Sequence, residues 1–316
     1  MKKDAIVLLN MGGPNNLEEV ELFLINMFND KNILTVKSSL LRAFIAKMIT
    51  FFRTEKAQEI YKLIGGKSPL VELTQKLVDK LQAKLGDGVV VDFAMRYTPP
   101  FSKEVIDRLN AQNIQNIYLI PLYPQYSTTT TKSSLEEFEQ TYHKMGGDAT
   151  IVEIKHFFQN TSYNKAIVDR IKEAITKDES GSFELVFSAH GLPQKIVDRG
   201  DVYEKHVKKH IKLLEAMLKS DGFNFSGTHL AYQSKVGPMK WLEPSLDTKL
   251  MELKGKNVLI FPIAFTIDNS ETIYELSIEY EAIAKELGVG EYRVAKSPND
   301  SEAFVEALIE IYEKMR

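Results

Sequence analysis

The chain is 316 residues long and 44% hydrophobic, with a formal net charge of -3 and no cysteine. That length can bury one large core or two ordinary ones. The missing cysteines exclude disulfides, thiolate metal sites and iron–sulfur clusters and suit a reducing cytoplasm, and without a global basic field nucleic acid is not an expected partner.

The opening MKKDAIVLLNMGGP has two lysines and an apolar run, but Asp4 interrupts the run, which is too short for a signal-peptide core. It reads as a first strand over 5–10. Further apolar, β-branched runs predict strands over 89–96, 117–122, 149–154, 184–188, 228–233, 257–263 and 291–295. Between them, periodic charged and apolar segments predict helices over 69–85, 101–112, 164–176, 202–219 and 271–287. The alternation argues for βαβ units and parallel sheets, whose ligands bind beyond the carboxyl ends of the strands.

A weak internal repeat runs through this pattern. NIYLIPLYPQYSTTTTKSSLEEF and NVLIFPIAFTIDNSETIYEL share a strand ending in proline, with Pro121 and Pro262 offset by 141; Phe93 and Leu230 are offset by 137, but NMGGP and SAHGLP by 179. The jump places about 40 extra residues early in the first of two similar halves. The insertion should fall within 21–66. There, Leu40, Leu41, Phe44, Ile45, Met48, Ile49, Phe51 and Phe52 crowd little more than three turns, punctuated by Arg42, Lys47 and Arg53. This stretch is too short and too charged to span a bilayer, which needs ~20 apolar residues. It suits a membrane interface, the wall of an apolar ligand cleft, or an ordinary core helix.

Asp268, Glu271, Glu275 and Glu279 follow the strand over 257–263. On an α-helix they fall within about 80° of one face, and no lysine or arginine between 268 and 284 relieves their repulsion. Such a row suits a hard divalent cation. Helix capping would explain the first two acids but not the later two. In LVFSAHGLPQ the apolar strand ends on His190, which is either structural or a proton-exchanging and metal-ligating imidazole beside that row. His206 and His210 are spaced as a metal pair, but YEKHVKKHIKLLEAMLK reads as a basic amphipathic surface, so they are taken as structural; His143, His156 and His229 have no evident partner. NMGGP lacks the glycine spacing of a dinucleotide site, and STTTTKSS is either an anion-binding helix start or a capping loop.

SAHGLP, YQSKVGPMKWLEPS, PIAFTIDNSETIYEL, YPQYSTTTTKSS, IGGKSPL and LNMGGP occur in the order and context seen in ferrochelatases, so the chain resembles that family over nearly its whole length. The resemblance implies a chelatase-like α/β fold. It has two similar Rossmann-like domains, each a four-stranded parallel sheet flanked by helices, with the active-site cleft between them. The expected division is 1–160, with an apolar lip insertion at about 21–66, and 161–316, which carries the catalytic histidine and glutamate and whose C-terminal helix is expected to pack back on the first half.

By the same resemblance, His190 and Glu271 are catalytic, and His190, Glu271, Glu275, Glu279 and Asp268 handle metal along a helix that is partly π-wound in relatives. Met11, Arg53, Lys56, Ser68, Arg96, Tyr97, Tyr126 and Trp241 contact porphyrin, with Arg53, Lys56 and Ser68 at the propionates. Asn269 stands where many members have histidine and Phe52 where some have arginine. Met11 occupies a position that is tyrosine in the coproporphyrin-using branch and methionine in protoporphyrin users. The expected activity is therefore insertion of Fe2+ into protoporphyrin IX with release of two protons, late in haem biosynthesis. Coproporphyrin III as substrate, a cobalt or nickel chelatase, and a non-catalytic tetrapyrrole carrier are the alternatives.

No cofactor is expected: Fe2+ is a substrate, and without cysteine there is no iron–sulfur cluster. The expected partners are porphyrin and ferrous iron, with transient contact to a membrane or to the preceding oxidase. A monomeric bacterial cytoplasmic protein, peripheral at the inner face of the cell membrane, is expected.

Overall fold

A computed structural model describes every residue except Met1, Lys2, Val236 and Pro238, so two positions of the SKVGPM stretch lie outside the described residues. The chain divides into one unit of Met1–His156 with Leu308–Arg316 and a second of Phe157–Ala307.

The first unit is built on strands β1 (Lys3–Asn10), β2 (Val89–Met95), β3 (Ile114–Pro121) and β4 (Thr150–Glu153), all parallel, in the order β2-β1-β3-β4. The second repeats this with β5 (Phe183–His190), β6 (Gly227–Gln233), β7 (Asn257–Pro262) and β8 (Tyr292–Val294), in the order β6-β5-β7-β8. All eight predicted strands form. The central strands are continuous apolar runs because helices cover both faces of a parallel sheet; β5 is buried along its length except at His190. The registers reproduce the offsets of the repeat: Leu9 pairs with Pro121 as Ser188 pairs with Pro262, and Asn10 with Met95 as Ala189 with Tyr232.

The extra length in the first unit consists of helices Glu19–Phe28 and Ser39–Leu63. Ser38 caps the second through its Oγ, which accepts from the Leu41 N–H at 3.3 Å. Val20, Leu24 and Tyr61 pack the pair together, and Arg42 donates to the carbonyls of Asn29 and Val36. The apolar face is not core, which removes that reading: Leu40 is 85% exposed, Phe51 77% and Phe52 70%. No helix among the described residues is long and apolar enough to cross a membrane. At the chain's end, Tyr312 donates to Asp4 at 3.0 Å and its ring meets Tyr118 edge-on.

Periodicity reads the acid-bearing segment as one helix over 271–287, and it is partly π-wound, as the resemblance implies. Glu271–Glu279 is π-helical, and only Tyr280–Leu287 is α-helical. The Tyr280 N–H bonds to the Glu275 carbonyl five residues back, while the Leu276 carbonyl, which an α-helix would give to Tyr280, accepts from the Tyr292 hydroxyl at 2.9 Å. A side chain from β8 thus takes up the acceptor that the wider winding leaves over. A π-helical turn, Thr128–Lys132, stands at the corresponding place after β3, capped by Ser127.

Candidate active site

His190 ends β5 with its side chain 43% exposed. The chain can leave the strand only through glycine: a Cβ on Gly191 would lie 2.7 Å from the Gln233 carbonyl oxygen and 3.2 Å from the Trp241 ring. The Gly191 N–H donates to that carbonyl at 2.8 Å, and residues 192–194 continue in hydrogen bonds to 240–242. The Tyr203 hydroxyl donates to the His190 carbonyl at 3.1 Å. Backbone and ring are therefore held from separate directions.

The ring faces the start of the π-helix. Nδ1 of His190 lies 2.8 Å from Oε2 of Glu271. The same oxygen is 3.2 Å from the Ser234 hydroxyl, which is 2.6 Å from Oε2 of Glu275, while the Ser234 N–H donates to Oε1 of Glu275 at 2.7 Å. Gln233 donates to Glu275 at 3.3 Å and accepts from Ser188 Oγ at 2.7 Å. Because Ser188 and His190 share β5, the contacts close a ring: Ser188, Gln233, Glu275, Ser234, Glu271, His190.

Burial opposes charge on all three ionisable members, and their mutual contacts decide the outcome. Burial lowers the pKa of His190, but the Glu271 carboxylate and its hydrogen bond, with a smaller pull from Glu275, raise it above the usual histidine value. Burial raises Glu271, yet His190 and the bond from Ser234 bring it below the usual carboxylate value. The pair therefore favours imidazolium and carboxylate. Glu275 is the odd member, pushed up to about 7 by burial and by the Glu271 charge, against the bonds from Ser234 and the attraction of His190. The proton count agrees. One hydroxyl hydrogen cannot serve two carboxylates, so a Ser234 that donates to Glu271 needs a proton on Glu275.

The other predicted metal-handling residues stand apart from this ring. Asp268, 8% exposed, accepts from the Ser297 N–H and from Asn299 Nδ2 at 2.6 Å. Glu279 is exposed at the far end of the π-helix. Among the described residues no three histidine or acidic side chains form a group that could hold a metal ion. Asn269 accepts from the Glu271 N–H at 2.7 Å, a local turn bond just ahead of the π-helix. Trp241 is half-buried beside Gly191, next to a cavity of about 430 Å³ that Gln233 and Thr248 also line.

Within the first unit, Met11 follows β1 and its carbonyl accepts from the Tyr97 N–H at 2.9 Å. Arg96 donates to Asp30 at 3.1 Å and to Ser133 at 3.0 Å, and the Tyr97 hydroxyl to Asp30 at 2.9 Å. Ser68 is buried against Gly13. Arg53 and Lys56 are exposed on the long helix, with the Arg53 guanidinium 5.6 Å from the centre of the Phe28 ring. Tyr126 is half-buried just before the first π-helical turn.

Sequence reasoning missed Ser188, Gln233, Ser234, Tyr203 and Asp30. Ser188, Gln233 and Ser234 lie within the SAHGLP and YQSKVGPMKWLEPS motifs without being singled out, and Asp30 stood out as a lone acid closing the apolar run FLINMFND. Two histidine readings need correction. His210 is not on a basic surface: it is fully buried against Asn164 Oδ1 at 2.7 Å, where burial pushes its pKa down to about 3. His229 does have a partner, Glu184, at 2.9 Å.

The solved structures most like this fold include the chelatase SirB from Bacillus subtilis with Fe3+, at a TM-score of 0.59 and 13% identity over 99% of this chain and 95% of that one. Another is CbiX, a terminal enzyme of sirohaem biosynthesis in denitrifying bacteria, at a TM-score of 0.50 and 10% identity over 99% of each chain. The model of the ferrochelatase family matches residues 3–316. The ferrochelatase of Sulfurimonas denitrificans is 67% identical over the full length of both chains. Those of Campylobacter concisus and Helicobacter pylori are 47% and 42% identical, over 98% and 99% of this chain and 96% and 94% of theirs. With two parallel four-stranded sheets of one topology and this match from end to end, the chain belongs to the ferrochelatase family of porphyrin metal chelatases.

Proposed function

We propose that the porphyrin metalated by this ferrochelatase is protoporphyrin IX and that His190 takes up the pyrrole protons. The observation that carries the reading of the site is the 2.8 Å contact between His190 Nδ1 and Glu271. A carboxylate on Nδ1 fixes the tautomer of the neutral ring, leaving the Nε2 lone pair as proton acceptor. Metalation releases two N–H protons as one divalent cation enters, so it needs a base near neutrality and oxygen ligands to bring the cation. Glu275, titrating at about 7, suits the second proton, and Glu279, Glu275 and Glu271, spaced along one π-helix, suit the passage of Fe2+. Asp268 accepts one bond on each oxygen, from Ser297 and Asn299, which fixes a carboxylate with lone pairs to spare just ahead of the helix and suits a place at the start of the same metal path.

The choice of protoporphyrin rests on Met11, where the coproporphyrin-using branch of the family has tyrosine. Porphyrin-contacting roles are proposed for Met11, Ser68, Arg96, Tyr97 and Tyr126 in the first unit and Trp241 in the second, with Arg53 and Lys56 at the propionates. The exposed apolar face around Phe51 and Phe52 suits contact with a membrane surface from which a poorly soluble substrate is drawn. Anaerobic Fe2+ insertion compared for protoporphyrin IX and coproporphyrin III tests the substrate. Faster turnover of coproporphyrin III would overturn it. In the same assay His190→Ala should bind porphyrin without metalating it.

A further inference from the structure

Among the described residues only Ser234 and Asn299 combine a side chain with left-handed backbone, at φ +64 and φ +51. A Cβ makes that region costly, and such a conformation persists where the surroundings enforce it. Asparagine tolerates it, and Asn299 uses it to hold Asp268 ahead of the π-helix. Serine has less excuse. At Ser234 the left-handed turn brings backbone N–H and hydroxyl to bear on one carboxylate, Glu275, and leaves the same hydroxyl 3.2 Å from Glu271.

We propose that Ser234 is the positioning residue of the acid row: its hydroxyl, presented by a left-handed turn, holds Glu271 against His190 and Glu275 beside it. The proposal rests on the roles given above to His190 and Glu271. The oxygen of Glu271 that Ser234 reaches is the one on His190 Nδ1, so Ser234 sets how that carboxylate meets the imidazole. A π-helix holds its residues in a looser winding than an α-helix. Here the tether comes from outside it, from the end of β6. Gln233 gives Glu275 a second, longer bond, but among the described residues Glu271 has no side-chain partner besides His190 and Ser234. Without the Ser234 hydroxyl the ring opens on the side of Glu271.

Glycine separates this role from a purely structural one, because it adopts positive φ freely while lacking the hydroxyl. In anaerobic Fe2+ insertion by the full chain, Ser234→Gly should melt at or above the parent's temperature. Its kcat should nevertheless fall about 10- to 100-fold, the usual effect of losing a residue that orients a reacting group, with KM for porphyrin unchanged. Ser234→Ala should lose kcat similarly and be less stable, and if it fails to fold, the glycine variant carries the test. Parental kcat in Ser234→Gly, or a loss confined to KM, would overturn the proposal. His190→Ala is measured alongside. Normal turnover there would instead overturn the assignment of the site itself, and a silent His190→Ala with a fully active Ser234→Gly would refute Ser234 alone.

Discussion

Glu271 meets His190 at Nδ1, 2.8 Å away, and the two hold each other in opposite charge states: the carboxylate is lowered and the imidazole raised from their ordinary values. The cost of burying either charge is offset by the other, which a lone histidine at a strand end would not achieve.

A raised His190 keeps its proton to higher pH, and only the neutral ring can accept another. Activity therefore rises as pH climbs through that raised value, which sets the acid limb of kcat/KM. Glu271→Gln removes the charge that raises it, while burial, which lowers it, remains. The acid limb should move to lower pH, and kcat at its plateau should drop by about 10- to 100-fold as the ring loses its orienting partner. A pH–rate profile of the variant checks both, and an unmoved limb would show that His190 is not the group being read.

Glu275 makes a stability prediction of defined sign. Its carboxyl is raised from 4.5 to about 7, so between those values the folded chain keeps a proton that the unfolded chain has released. The unfolded state binds fewer protons there, and stability falls as pH rises across the window. Glu275→Gln removes the titration. The variant should be more stable than the parent above about pH 7, by on the order of 3 kcal/mol, with the difference vanishing toward about pH 4.5. Urea unfolding at the two ends of the window measures it.

The strands and the repeat were readable because a sheet covered on both faces demands unbroken apolar runs, and both halves meet that demand in one strand order. His190 was readable as an interruption of such a run. The rest of its ring was not: Ser188, Gln233 and Ser234 are small polar residues at strand ends, carrying no periodicity until β5 and β6 are aligned. The π-winding was implied by the resemblance alone: the Tyr292 hydroxyl that takes up its spare acceptor arrives from another strand, and no local propensity announces that. His210 differs, since it falls on the same apolar stripe as Tyr203, Val207, Ile211 and Leu214. The flanking lysines hid a periodicity that was present.

The long helix Ser39–Leu63 leaves Phe51 and Phe52 largely in solvent, stacked edge-on against each other at 5.3 Å. Exposed aromatics contribute little to folding, so Phe51→Ser with Phe52→Ser should change stability by less than about 0.5 kcal/mol per site. Loss of apolar area should instead weaken binding to anionic lipid vesicles, followed by co-sedimentation. Unchanged vesicle binding would sink the membrane reading, and a large fall in melting temperature would mean that the face is covered by the protein itself.

Gly191 is where the fold and the chemistry constrain one residue together. Its φ lies outside the left-handed region, so conformational freedom is not the reason for glycine. Space is: a Cβ would meet the Gln233 carbonyl oxygen at 2.7 Å, and backbone cannot swing aside as a side chain can. Gly191→Ala should push β6 away from β5 at the point where Gln233 and Ser234 reach the acid row. We expect a loss of about 1–3 kcal/mol in stability, typical of overpacking. The fall in kcat should exceed what the lost folded fraction explains, because the strand being displaced carries the Ser234 contacts to Glu271 and Glu275. Denaturant unfolding combined with kcat per folded molecule separates the two effects, and a variant that loses stability alone would show that the ring tolerates this displacement.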